Sequence, residues 1–292
     1  MRLCELAAQN GIDSFEFEDF LYVGKSLSQD PGRLVLVGGQ AIEIWGNFFK
    51  ILPPTGDQAP LTEDTDFLGD RHDAKWLCKL LGRGETELVV AKDFDPSPNS
   101  AIAYLKRPDG RILLIDFLHG IVGVSNQEIC KTAVRVTVAG CELQVLHPLL
   151  CLKSRLANLE SLSTKRNTNG IMQAQWAINI VHAYLLNLLD REGVAQRDLI
   201  RQFTDVSELA EYGSGPYCYR NFGLDPLKAI TQEMVDRVGS RFVDEDWPRR
   251  VARITAKREK IGRFAMRLDL SRLKPGQAIP TIRNPLSGIN QS

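Results

Sequence analysis

The pattern of apolar residues changes abruptly at His147-Pro148. Before this point, short apolar runs with the two-residue alternation of β-strands are separated by turns that contain glycine and proline. After it, apolar residues recur every three to four positions in long segments, as in amphipathic helices. We therefore expect an α+β protein, in which a mixed sheet with flanking helices precedes an all-helical domain.

The chain has 292 residues, which corresponds to about two average domains. We predict a catalytic-type α/β domain over 1–146, a helical domain over 147–270 and a loosely ordered tail over 271–292. The predicted strands are 33–37, 65–69, 87–92, 101–105, 112–118, 133–138 and 141–146. The predicted helices are one opening at Gly38-Gly39, one over 73–81 with Asp73 as its N-cap, and 148–161, 170–190, 195–212, 225–240 and 246–268. The proline-rich segment 51–61 is predicted to be a loop.

Several classes of protein are excluded by composition and pattern. No run approaches the ~20 apolar residues that a membrane span needs, and the first residues lack the apolar core of an export signal. The six cysteines are dispersed without a C-x-x-C pair, which predicts neither a zinc site nor a disulfide framework. We expect a soluble, cytoplasmic protein with reduced thiols and no membrane partner.

Charge is distributed unevenly, although the formal net charge is zero. Residues 1–146 contain 14 basic and 21 acidic residues, and residues 147–292 contain 22 and 15. Within the last predicted helix, basic residues share one face and form a stripe, which could follow an RNA phosphate backbone, could be a solvated face or could pair with the acidic N-terminal half. The stripe consists of Arg249, Arg253, Lys257, Lys260, Arg263 and Arg267.

Three features in the first half could together carry chemistry. A strand ends at Gly38-Gly39 and leads into a helix, where a turn without side chains and free N–H groups would let phosphate oxygens approach. Asp64 and Asp66 lie two apart on the next strand, so their side chains share a face. Asp116 lies within the apolar run Ile112–Leu118 and therefore requires a partner.

Carboxylates presented together in this way suit a divalent cation. Mg²⁺ prefers hard oxygen ligands and commonly binds one or two carboxylates together with substrate phosphates. A third carboxylate could bridge a second ion, or take the proton from an attacking hydroxyl. The glycine turn and the three aspartates thus predict a site for Mg²⁺ and a nucleotide.

The segments LVLVGGQAIEIW, LTEDTDFLGD and ILLIDFL resemble the glycine pair, D-x-D pair and third-carboxylate strand of the DNA polymerase β-type nucleotidyltransferase superfamily. This resemblance implies the nucleotidyltransferase fold and transfer of a nucleotide from an NTP, with release of pyrophosphate. It implies phosphate contacts for Gly38 and Gly39, and ligation of two Mg²⁺ ions by Asp64, Asp66 and Asp116.

Within this superfamily, the chain is most similar to the AbiEii-like toxins of type IV toxin–antitoxin systems. There the first helix of the helical domain brings a lysine to the nucleotide, and VLHPLLCLKSRLANL places Lys153 at that position. The resemblance covers about residues 33–190. Two departures are a longer spacing between the glycines and the D-x-D pair, and the basic and polar segment 165–169 where such toxins tend to carry another acidic residue.

The resulting hypothesis is a Mg²⁺-dependent, ATP- or other NTP-binding nucleotidyltransferase that acts on tRNA or other RNA. A cognate antitoxin is a further partner that the sequence leaves open. A small-molecule (antibiotic) or protein acceptor would use the same catalytic core. A catalytically silent nucleotide- or RNA-binding protein is the alternative of another class. We expect His119 and His147 to have structural roles, and Lys165 and Arg166 are as consistent with a solvated face as with ligand binding.

Overall fold

The structure is a computed structural model that describes residues 2–54, 64–82, 84–92, 97–239 and 241–261. The chain divides into two compact units: Met1–Leu52 with Gly56–Ser154, and Pro53–Thr55 with Arg155–Ser292. This division falls inside a helix that begins in the first unit and continues into the second. The sequence-based boundary at 146/147 stays a prediction.

The first unit is built around a seven-stranded mixed sheet of order β3-β4-β5-β2-β1-β7-β6. Its strands are β1 Val35–Leu36, β2 Asp64–Leu68, β3 Thr86–Val90, β4 Asn99–Lys106, β5 Ile112–Leu118, β6 Val134–Val138 and β7 Cys141–Val145. The pairs β2/β5 and β1/β7 are parallel, and the other neighbouring pairs are antiparallel. The sheet is therefore mixed, as predicted.

In the described part of this unit, the sheet is accompanied by five helices: α1 Leu3–Asn10, α2 Phe17–Leu27, α3 Gly38–Phe49, α4 Arg71–Leu81 and α5 Asn126–Thr132. Neighbouring residues of β3 show that α1 and α4 lie on opposite faces. The hydroxyl of Thr86 donates to the carbonyls of Cys78 and Gly82 at the end of α4, whereas the carboxylate of Glu87 accepts from the backbone N–H of Leu3 in α1. Each face thus has its own helical cover at this edge.

The two faces of the central strands differ in burial. Apolar side chains on the α4 face are almost fully enclosed: Phe67, Ala101, Ala103, Leu105, Leu113, Ile115 and Phe117. The alternate positions on β2, β4 and β5 are half-buried, except for buried Leu68 at the end of β2, buried Ile112 at the start of β5 and exposed Lys106 at the end of β4. Since side chains alternate along a strand, this second face is the one open to a ligand.

The regular structure after Pro148 is helical in the part of the chain that the structure describes. It comprises α6 Pro148–Ser161, α7 Thr168–Asp190, α8 Gln196–Glu211, α9 Ser214–Phe222, α10 Gln232–Asp236 and α11 Trp247–Ile261. Short 3₁₀ segments cover Ser163–Lys165 and Pro226–Ala229, and a π-helical turn covers Phe242–Asp246. The predicted α+β class, with a mixed sheet before a helical region, is confirmed.

Several local predictions need correction. Helix α4 begins before Asp73, because Asp70 is its N-cap and accepts from the backbone N–H groups of His72 and Asp73. The predicted helix 225–240 is interrupted, because Asp225 and Thr231 each cap a separate short segment. Helices α1, α2, α5 and α9 were not predicted. Most of the predicted 51–61 loop, and the whole 271–292 tail, lie outside the described residues.

Among the described residues, none of the helices combines the length and apolar character needed to cross a bilayer. The six cysteines are free thiols, and four of them are buried.

A buried carboxylate ties α2 to the β4–β5 turn. Asp19 is fully buried, and its oxygens accept from Arg107 at 2.8 Å and from Arg111 at 2.7 Å. Both arginines keep some contact with solvent. Removing one partner of a buried ion pair is costly, because the remaining charges lose their compensation.

We expect Asp19→Asn to lower the free energy of unfolding by about 2–3 kcal/mol, less than for a fully enclosed pair because the arginines reach water. Urea denaturation followed by circular dichroism measures this change. The matched control is Asp30→Asn, an exposed aspartate close by in sequence, which should change stability by at most ~0.5 kcal/mol. Equal effects of the two substitutions would contradict this account of Asp19.

Candidate functional site

The structure brings Asp64, Asp66 and Asp116 together. Strands β2 and β5 are parallel and in register, so that Asp66 lies directly opposite Asp116. Asp64 projects from the same face of β2, two residues earlier. One carboxylate oxygen from each of the three residues lies within 4.8 Å of the other two. The three aspartates therefore form one half-buried cluster on the open face of the sheet.

The Gly38 turn lies against this cluster. The backbone N–H of Val37 donates to the carbonyl of Asp66 at 2.9 Å, and α3 begins at the next residue. Gly38 has a φ of +69°, which disfavours residues with a Cβ, and a Cβ built there would lie 1.9 Å from Asp66 Oδ2. Two independent features therefore require glycine at position 38: the positive φ, and the lack of space for a Cβ beside the Asp66 carboxylate. Gly39 is buried in the first turn of α3.

The donor set suits a hard divalent cation. Three carboxylates this close repel one another, by about 3 kcal/mol per pair at an effective dielectric constant near 20. A cation among their oxygens would reverse that repulsion, and oxygen-only ligands favour Mg²⁺ or Mn²⁺ over softer metals. The adjacent start of α3 adds the positive end of a helix dipole, which favours a nearby anion such as phosphate.

Glu87 and Tyr104 also lie on this open face, and the sequence analysis did not single them out. The strand register places Glu87, Tyr104, Leu114 and Asp64 in one row across β3, β4, β5 and β2. Burial raises the pKa of the Tyr104 phenol, with a smaller contribution from the negative charge of Asp116. Glu87 anchors α1 through Arg2 and the backbone of Leu3. Helix α1 therefore lies on the same face as the aspartate cluster.

Lys153 lies on α6, where its ammonium donates to Glu128 Oε1 at 2.7 Å. Glu128 belongs to α5 and was not singled out from the sequence. The sequence pattern that could have drawn attention to Glu128 is the capping box Ser125-x-x-Glu128 at the start of α5. This pattern predicts the position of Glu128 in the helix but not its contact with Lys153.

The two histidines match their predicted structural roles in part. His147 Nδ1 accepts from the backbone N–H of Leu149, so the imidazole caps the start of α6. Burial lowers the pKa of His147 to about 4, which keeps the ring neutral near pH 7. The carbonyl of His119 accepts from the side chain of Asn126 at 2.7 Å.

The basic stripe on α11 is largely engaged within its own unit. Arg253 and Lys257 both pair with Glu211, whose side chain is 1% exposed, and Arg249 pairs with Glu245. Lys260 is exposed, and Arg263 and Arg267 lie outside the described residues. Arg166, in the loop before α7, donates to the carbonyl of Leu159, and Lys165 is exposed. The acidic partners seen for the stripe come from the basic half of the chain.

Comparisons with known proteins give only distant similarities. Neither the models of known protein families nor the curated proteins include a match. Among solved structures, an antigenic nucleotidyltransferase-like protein from Paracoccidioides brasiliensis is 17% identical, with a TM-score of 0.30, over 85% of this chain and 92% of that one. A candidate nucleotidyltransferase from H. pylori is 14% identical, with a TM-score of 0.34, over 83% and 94%. At these scores the similarities carry no argument about the site.

We expect Gly38→Ala to weaken binding of Mn²⁺ or Mg²⁺ at least ~10-fold, because the new Cβ displaces the Asp66 carboxylate. Isothermal titration calorimetry measures this affinity. The matched control is Gly223→Ala, since Gly223 also has a φ of +69° but has open space around a built Cβ. Both variants share the backbone strain, so equal loss of cation affinity would show that the contact with Asp66 is irrelevant.

Glu211 should give the protein a measurable acid dependence. Hydrogen bonds from Arg253 and Lys257 hold the pKa of Glu211 at about 2, against an ordinary value of 4.5. Its stabilising contribution is therefore complete above about pH 5 and disappears as the pH falls towards 2. We expect Glu211→Gln to cost about 2 kcal/mol at pH 7 and progressively less in acid, as measured by denaturant unfolding at several pH values. A cost that does not change with pH, or an equal cost for exposed Glu259→Gln, would contradict this assignment.

Proposed function

We propose that this protein is a divalent-cation-dependent nucleotidyltransferase, which moves a nucleoside monophosphate from an NTP to an acceptor hydroxyl and releases pyrophosphate. The observation that carries the proposal is the contact of Gly38 with Asp66, which joins a side-chain-free helix start to a cluster of three carboxylates. A nucleoside triphosphate needs both: an anion site for its phosphates and oxygen ligands for its accompanying cation.

The residues can be given roles within this proposal. The N–H groups at the start of α3, beside Gly38 and Gly39, receive phosphate oxygens. Asp64, Asp66 and Asp116 hold Mg²⁺, which when bound would neutralise the negative charge that develops on the phosphoryl oxygens. The acceptor oxygen forms a bond to the α-phosphorus, the bond to the bridging oxygen breaks, and pyrophosphate leaves. Asp116 accepts the proton of the acceptor hydroxyl, and Lys153 offers its ammonium to the phosphates.

The acceptor and the biological role form a finer part of the proposal. RNA, and tRNA in particular, is supported by the similarity of the lysine-helix segment to AbiEii-like toxins. That similarity also motivates a cognate antitoxin, and the resemblance to the wider superfamily motivates two ions. The α11 stripe supports RNA less than its sequence suggests, because Arg253 and Lys257 are engaged by Glu211. A small-molecule or protein hydroxyl would use the same chemistry.

We expect purified protein, incubated with Mg²⁺ and each of four α-³²P-labelled NTPs, to transfer label to total tRNA. Asp64→Asn and Asp66→Asn should each lower this transfer at least ~100-fold, because an amide is a poor ligand for Mg²⁺ and carries no charge. Denaturing gels resolve labelled RNA from labelled protein, and Asp30→Asn is the control for loss of an aspartate elsewhere.

Transfer that persists in Asp66→Asn would overturn the assigned site. Label on the protein would name a protein acceptor and remove RNA. If no lane contains label, calorimetry with Mg²⁺ and each NTP separates the remaining cases. Binding that requires Asp64 and Asp66 would indicate a small-molecule acceptor or a silent binding protein, whereas absence of binding would overturn the nucleotide site altogether.

A further inference from the structure

The ion pair between Lys153 and Glu128 links two helices of the first unit. Lys153 Nζ lies 2.7 Å from Glu128 Oε1, and the two side chains are 34% and 44% exposed. Ion pairs this accessible to water contribute only about 0–1 kcal/mol to stability. The ion pair therefore adds little to the stability of the fold. We consider instead how Glu128 determines the position of the Lys153 ammonium.

The Glu128 carboxylate is oriented before it meets the lysine. Its Oε2 accepts from the backbone N–H of Ser125 at 3.0 Å and from the Ser125 hydroxyl at 2.9 Å. The Ser125 hydroxyl in turn accepts from the backbone N–H of Glu128 at 3.2 Å. This capping box fixes one oxygen, so that the other oxygen is presented to Lys153 in a defined direction.

The Glu128 carboxylate is charged over the whole physiological range. The hydrogen bond from Lys153, followed by those from Ser125, holds the pKa of Glu128 at about 2. Lys153 thus faces a counter-charge that persists across this range.

We propose that Glu128 is a positioning residue: it restrains Lys153 in the nucleotide-free protein and yields it to the triphosphate when Mg·NTP binds. This inference rests on the nucleotidyltransferase function proposed above. A triphosphate carries more negative charge than one carboxylate, so it can take the ammonium from Glu128. After the exchange, Glu128 keeps both bonds to Ser125 and its free oxygen is hydrated, which makes release of the lysine inexpensive.

The test is a double-mutant cycle on Mg·NTP binding, followed by titration calorimetry. Glu128→Gln preserves an oxygen for the Ser125 cap but removes the competing charge, and we expect it to tighten binding of Mg·NTP about threefold to tenfold. Lys153→Met should weaken binding about tenfold or more. In the Lys153→Met background, Glu128→Gln should have no effect, because the residue it acts through is absent. The matched control is Glu142→Gln, which removes a similarly exposed partner of Arg135 and should leave affinity unchanged in both backgrounds.

Each result decides between the alternatives. A tightening that appears only when Lys153 is present supports the proposal. An unchanged or weaker affinity in Glu128→Gln, or the same change in both backgrounds, overturns the positioning role. If that happens while binding still requires Asp64 and Asp66, the proposed function stands and only this inference fails. If the unmodified protein binds none of the four Mg·NTPs, both fail.

Discussion

The arrangement of the site depends on the backbone pairing of β1, a strand of two residues in the middle of the sheet. Antiparallel pairing with β2 brings the N–H of Val37 to the carbonyl of Asp66 and so sets Gly38 beside that carboxylate. Parallel pairing with β7 joins the N–H of Leu146 to the carbonyl of Leu36 at 2.9 Å. Because β1 and β7 run in the same direction, α3 and α6 both begin at the edge of the sheet where Gly38 lies.

The strands that carry the three aspartates could be predicted from the sequence. The alternation in Asp64–Leu68 and the apolar run around Asp116 predict strands, and the spacing of Asp64 and Asp66 predicts that they share a face. The register that places Asp66 opposite Asp116 cannot be read in this way, since it depends on pairing between strands fifty residues apart. The contact between Gly38 and Asp66 is equally non-local. From the sequence, glycine at that turn is explained only by the general need for a turn without side chains. The structure adds a specific reason, which is the close approach of Asp66 to Gly38.

The errors have local physical causes. Asp70 and Asp73 form one capping box, so the pattern marks the start of α4 but leaves open which aspartate is the cap. In the 225–240 segment, apolar spacing is helical, but Asp225 and Thr231 divide it because their side chains accept from the backbone N–H groups of Leu227 and Met234, respectively. The interpretation of the basic stripe also failed to foresee these local side-chain contacts. Part of the basic excess after residue 147 is paired in the described residues, since Glu211 and Asp225 engage Arg253, Lys257 and Arg258.

The position of β1 also bears on the order in which the molecule is assembled. Hairpin neighbours such as β4 with β5 and β6 with β7 are close in sequence, and contacts of this kind form early in folding. Strand β1 pairs instead with β2, which follows the intervening helix α3, and with β7, more than a hundred residues further along the chain. We therefore expect the pairing of β1 with β7, next to Gly38, to form later than the hairpins. Local opening of this one short strand would separate the start of α3 from the carboxylates while the hairpins on either side stayed paired.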